Sequence, residues 1–126
     1  MSLILDAGAL VALERNDRAM WRRLKSARRS RTPPITHGGV IAQAWRGGTG
    51  RQTQLARALQ ATEVVPLDDF LGRRAGVLLA RSGLTDAIDA ALAAVADHGD
   101  QIITSDPDDL AILVAAGTRR VDVVPT

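Results

Sequence analysis

Ile102-Ile103-Thr104-Ser105-Asp106-Pro107-Asp108 reads as a buried strand that stops at an acidic tip and turns directly into a helix. Two isoleucines and a threonine favour extended, pleated backbone. Pro107 lacks a backbone N–H, suits a first helical turn and cannot extend a central strand. An apolar run without polar alternation belongs to a sheet covered on both faces, which is the parallel kind. The N-terminus repeats the pattern, with Leu3-Ile4-Leu5 as the apolar run and Asp6 at its tip. In parallel α/β sheets the crevice outside the C-terminal strand ends is where ligands bind. Two acidic tips brought together there would make a divalent-metal site.

Between these two strands the hydrophobic period alternates. Residues 9–13 and 18–28 predict helices, the second with Asp17 as N-cap. Thr32-Pro33-Pro34 breaks the pattern, and Ile35-Thr36 is a brief extended piece. Residues 40–46 are helical, with Ile41, Ala44 and Trp45 on an apolar stripe, and Gly47-Gly48-Thr49-Gly50 ends them. Further helices are predicted over residues 52–60, from an Asp68 cap to about residue 81, from Thr85 or Asp86 to residue 97, and over residues 107–115. Strands are predicted at 63–67, 101–105 and 121–124. Strands alternating with helices imply an α/β fold, a three-layer α/β/α sandwich around a mostly parallel central sheet. The 126 residues are one domain's length, so a single domain over 1–126 is expected.

Composition excludes several chemistries. There is no cysteine, so neither a thiolate nucleophile nor a Cys-type zinc site is available. No apolar stretch approaches the ~20 residues of a membrane span, and Asp6 interrupts any signal-peptide pattern, so a cytoplasmic protein without a membrane partner is expected. No G-x-G-x-x-G follows the first strand, and Gly47–Gly50 lacks the Lys-Ser/Thr of a P-loop. His37 and His98 stand beside glycines without zinc or triad spacing, and surface or capping roles are expected for them.

Charge is unevenly spread. Residues 1–62 hold 11 Lys+Arg against 3 Asp+Glu, while residues 63–126 hold 5 against 11. That split suits a protein that meets a polyanion with one surface and concentrates carboxylates on another. Arg22, Arg23, Lys25, Arg28, Arg29 and Arg31 form a tight run whose guanidinium forks match phosphate geometry. With Trp21, Trp45 and Phe70 the only aromatics, stacking of splayed bases cannot be a general recognition mode.

The acids are the remaining chemistry. Asp6 alone could be an N-cap. Asp86 and Asp89 lie three apart on one face of an alanine-rich helix, where Asp86 can cap. Asp89 lies past the cap on an apolar face, and an unpaired buried carboxylate is costly unless a cation neutralises it. Asp106, Asp108 and Asp109 crowd one turn, and capping absorbs only one of them.

Four segments together resemble the PIN-domain ribonucleases, specifically the VapC toxins of bacterial toxin–antitoxin pairs. They are Leu3-Ile4-Leu5-Asp6-Ala7-Gly8-Ala9-Leu10, Val40-Ile41-Ala42-Gln43-Ala44-Trp45-Arg46-Gly47-Gly48, Thr85-Asp86-Ala87-Ile88-Asp89-Ala90-Ala91, and Ile102-Ile103-Thr104-Ser105-Asp106-Pro107-Asp108-Asp109-Leu110. The resemblance implies three or four acids holding Mg²⁺ or Mn²⁺ for hydrolysis of RNA phosphodiester bonds. Carried over by motif, Asp6, Asp89 and Asp106 are metal ligands, with Asp86 a rival to Asp89 and Asp108 alongside Asp106. The family's second acid, a glutamate, falls on Gln43, which can orient a water or phosphate but adds no negative charge. Glu14 could partly compensate, although pairing to Arg18 at i,i+4 is its plainer role. Arg22, Arg23, Arg28, Arg29, Arg46 and Arg51 would track the RNA backbone. The resemblance also implies a homodimer and a cognate small VapB-like antitoxin. Gln43 leaves open a catalytically weak or inactive PIN-like module that binds RNA or protein. A Toprim-like phosphotransfer domain fits Asp106-Pro107-Asp108, but it would want a glutamate where Asp6 stands.

Overall fold

Among the described residues, five helices begin at a side chain that accepts a hydrogen bond from their first turn, and two of these caps, Asp6 and His37, stand where a strand gives way to a helix. The computed structural model describes residues 1–47 and 50–126. Asp6 caps α1 (Ala7–Glu14) after β1 (Leu3–Leu5), and Asp17 caps α2 (Arg18–Arg29). His37, the last residue of β2 (Ile35–His37), caps α3 (Gly38–Ala44). After α4 (Thr53–Gln60) and β3 (Glu63–Val65), Asp68 caps α5 (Asp69–Ser82) and Asp86 caps α6 (Ala87–Val95). β4 (Gln101–Thr104), α7 (Pro107–Ala116) and β5 (Asp122–Pro125) complete the chain.

The five strands of the described residues run in the order β3-β2-β1-β4-β5, and every pairing is parallel. The sheet is therefore wholly rather than mostly parallel. The chain leaves β1 towards β2 and β3, then returns across the sheet to β4 and β5. With right-handed crossovers this path puts α1–α4 on one face and α5–α7 on the other. Packing agrees: α1 contacts α2, α3 and α4, while α5, α6 and α7 contact one another. The basic half of the sequence thus covers one face and the acidic half the opposite face. Ile4, Leu5, Ile102 and Ile103 fill the middle, with Leu10 and Leu13 on one side and Leu92, Leu110 and Leu113 on the other.

Some limits differ from the sequence reading for identifiable reasons. The third strand stops at Val65 because Pro66 offers no ladder donor. α3 stops at Ala44, whose carbonyl accepts from Gln52 Nε2 at 2.9 Å. Trp45 follows it at 37 % exposure instead of continuing an apolar stripe. Of the Gly47–Gly50 helix stop, Gly48 and Thr49 lie outside the described residues.

The strand order reverses between β1 and β4, so the crevice of this fold opens at their C-terminal tips. Leu5 pairs with Ile103, and the Asp6 amide donates to the Ile103 carbonyl at 3.2 Å. That register brings the two acidic tips side by side.

Candidate metal centre

Asp6 is buried and accepts three hydrogen bonds. Its Oδ1 accepts from the Ala9 amide at 2.8 Å, which starts α1. Its Oδ2 accepts from Thr104 Oγ1 at 2.6 Å and from the Ser105 amide at 3.0 Å, which ties β1 to the end of β4. Thr104 Oγ1 in turn accepts from the Asp106 amide at 2.8 Å and so sets the turn carrying that acid. A carboxylate has about four lone-pair sites, so Asp6 has about one left for a further ligand.

Gly8 makes this closeness possible. A Cβ there would sit 2.5 Å from Ser105 Cβ and 3.3 Å from Asp6 Oδ1. Gly8→Ala is expected to push the Ser105 turn away and cost about 1–3 kcal/mol, read by urea denaturation. A variant as stable as wild type would show that the turn is free to move.

Asp106 precedes Pro107 at the start of α7, yet its side chain does not cap that helix. It faces Asp109, one turn on, and Asp89 from the first turn of α6. One carboxylate oxygen from each of Asp89, Asp106 and Asp109 lies within 4.8 Å of the other two. Neighbouring ligands of a six-coordinate Mg²⁺ stand about 3 Å apart and opposite ones about 4.2 Å, so the three carboxylates would draw together around an ion. All three donors are hard carboxylate oxygens, the set that suits Mg²⁺ and Mn²⁺.

Electrostatics mark the same place. Burial, then the neighbouring carboxylates Asp86, Asp106, Asp6 and Asp109, push the Asp89 carboxyl from 3.8 up to about 6. Asp106 beside it likewise pushes Asp109 up. Among the described residues the ion pairs are Arg73–Asp69 and Arg119–Asp97, and neither reaches this cluster. A bound cation would relieve the repulsion.

Residues 3–115 match the family model of the PIN domain. The chain belongs to the PIN domain family. PIN domains are generally nucleases and typically bind a divalent metal, and the acidic cluster of this PIN domain offers ligands for one. No curated protein matches the chain.

The other acids of this PIN domain are placed by the same geometry. Asp86 is spent on capping, its Oδ1 accepting from the Ile88 and Asp89 amides at 3.0 Å each. Asp109, not Asp108, joins Asp106 and Asp89. Residues three apart share a helix face and residues two apart do not, so the spacing from Asp106 already favoured Asp109. Gln43 is exposed on α3. Glu14 does not pair with Arg18; its Oε1 accepts from Gln52 Nε2 at 2.6 Å.

His37 is a capping residue as expected but is buried rather than on the surface. Nδ1 accepts from the Gly39 amide at 3.1 Å, so Nε2 carries the proton and donates to the Ile88 carbonyl at 2.9 Å. Burial holds its pKa below the usual histidine value. The bond pins the first turn of α6, and with it Asp89, to the tip of β2. Gly39 leaves room for this, since a Cβ would lie 2.5 Å from Ile88 Cδ1. Sequence reasoning missed this anchor because its two halves are 51 residues apart.

The basic residues scatter more than their sequence run suggests. Arg22 and Arg28 line a groove between α2 and α4, and Arg29 is exposed without lining it. Arg23 points instead to a pocket with Met1, Leu3 and Gln101, where its Nη1 is buried without a partner. Arg46 Nη1 donates to the Ala42 and Trp45 carbonyls at 2.9 and 2.8 Å, closing its own helix. Arg51 is exposed ahead of α4.

Proposed function

We propose that this PIN domain is a Mg²⁺- or Mn²⁺-dependent endoribonuclease, the toxin of a VapC-like toxin–antitoxin pair. The observation that supports it is the convergence of Asp89, Asp106 and Asp109 near Asp6, beside the tips of adjacent parallel strands, where no ion pair among the described residues reaches them. When bound, a divalent ion supplies charge stabilisation for the phosphate and lowers the pKa of the attacking water. Asp89, Asp106 and Asp109 hold it. Asp6 stands outside that group of three and orients the Thr104–Asp106 turn through its hydrogen bonds. Asp86 fixes the amides that begin α6, and Gln43 offers an amide to water or substrate phosphate. Scission is hydrolysis of an RNA phosphodiester bond.

The remaining parts of this reading follow from the family likeness. The whole chain, residues 1–126, acts as one PIN domain in the cytoplasm; none of the described helices is long and apolar enough to cross a membrane. A second copy would find apolar surface at Leu67, Phe70 and Val77, which are exposed. The partner is a small antitoxin whose arginine side chains complement the carboxylate groove.

The test is purified protein with total RNA and Mg²⁺ or Mn²⁺, alongside a chelator arm and Asp89→Asn. Cleavage is expected only with metal and intact Asp89; cleavage that survives both arms assigns the activity elsewhere. A second reading, a weak or inactive RNA- or protein-binding module, is favoured by one observation, the amide of Gln43 at the family's glutamate position. Restoring that charge with Gln43→Glu is expected to tighten metal binding about tenfold or more and raise the cleavage rate. If neither wild type nor Gln43→Glu cuts while both bind RNA, the binding module is the correct reading.

A further inference from the structure

Away from the carboxylates, the basic helical layer carries a trough of one sign. Arg18, Arg22, Lys25 and Arg28 on α2 face Arg57 on α4, and Arg31 continues the line towards the entry of β2. Two adjoining hollows of about 620 and 530 Å³ share Arg28 and Arg57, so the trough is continuous, and no carboxylate lines either part. None of these six cations has an acidic partner among the ion pairs of the described residues. Positions 18, 22, 25 and 28 follow helical spacing, which stacks like charges on one face at a cost of a few tenths of a kcal/mol per pair. A polyanion would remove that cost. Trp21 lies in the trough, its indole Nε1 held by the Leu13 carbonyl at 3.1 Å.

The trough is also at the wrong end of the sheet to belong to the acidic site. Pro33 and Ala61 line it, just before β2 and β3 begin, whereas the acids lie where β1 and β4 end. Strands of three or four residues separate the two edges by about 10–13 Å. From Arg18 to Arg28 the helix rises about 15 Å.

We propose that the α2–α4 trough is a second RNA-phosphate site, which grips a tract of the substrate remote from the bond being cut. It rests on the nuclease reading for its biological purpose and narrows the substrate to RNA that is long or folded enough to reach both sheet edges.

Binding is read as anisotropy of a labelled RNA hairpin of about 20 nucleotides in chelator across a salt series, so no cleavage is needed. Arg22→Gln/Arg57→Gln is expected to weaken binding about tenfold or more and to reduce the slope of log K against log salt by about 1.4–1.8. Arg18→Gln/Lys25→Gln, on the same wall, gives the same loss, and Arg81→Gln, on the opposite layer, gives none. In Trp45→Phe, Trp21 is the sole tryptophan and its emission changes as the hairpin binds. Unchanged affinity and slope in both double variants overturn the proposal. So does polyglutamate binding as tightly as the hairpin with the same Trp21 response, which would make the trough a site for an acidic protein. RNA held in the trough of a protein that cuts nothing would sink the nuclease reading and leave this site standing.

Discussion

Asp89→Asn is expected to abolish RNA cleavage while raising the stability of the metal-free protein near neutral pH. The loss of cleavage, at least about a hundredfold, follows from removing one charge of the three-acid cluster. The gain follows from the raised carboxyl, which sits near 6 in the folded chain against 3.8 ordinarily. A group that binds its proton more tightly when folded contributes stability that is complete below about pH 4 and lost as pH rises through about 6. After allowing for solvent screening, the ionised carboxylate costs the fold about 1–2 kcal/mol. The asparagine avoids that cost. His37 acts in the opposite sense, because its pKa is lowered and acid destabilises the fold through it. The difference between wild type and variant therefore isolates Asp89: it is expected to be largest near neutral pH, to shrink towards about pH 4, and to reverse in favour of wild type as Mg²⁺ saturates it. A variant less stable than wild type at neutral pH would show that Asp89 is held by an attraction and not by repulsion.

Asp6→Asn is expected to lose activity with the opposite stability sign. Both oxygens of Asp6 accept hydrogen bonds, from Ala9, Thr104 and Ser105. An amide keeps one acceptor oxygen and aims two N–H donors at groups that already donate. Leaving a buried donor unsatisfied costs about 1–3 kcal/mol, and the weakened turn would misplace Asp106 through Thr104. Urea denaturation is expected to show a loss of about 2–4 kcal/mol, together with cleavage reduced as strongly as in Asp89→Asn. If Asp6→Asn is fully stable yet inactive, Asp6 acts as a ligand only and the hydrogen-bond network is dispensable.

Much of the fold was legible because its signals are local. Apolar strands ending in acid, caps at Asp17 and Asp68, and prolines at the strand-to-helix joints each depend on a few neighbouring residues. Asp89 stood out because it follows a residue that already caps the helix. Asp109 was not singled out: three acids crowd one turn, and Asp108 was expected beside Asp106 although the face rule favours Asp109. Pairing order, the His37–Ile88 bond and the Gln52 contacts to Glu14 and Ala44 were not legible, since each joins segments separated by intervening elements. The basic run was read as one feature, but helical rotation splits it: Arg22, Lys25 and Arg28 share the trough while Arg23 turns towards the sheet.

Titrating Mn²⁺ calorimetrically into wild type and Asp106→Asn near neutral pH tests most directly whether these distant acids form one cation site. A saturable site in the wild type, weakened at least about tenfold in the variant, is the result expected. Equal Mn²⁺ binding by the two proteins, or none by the wild type, would contradict the account.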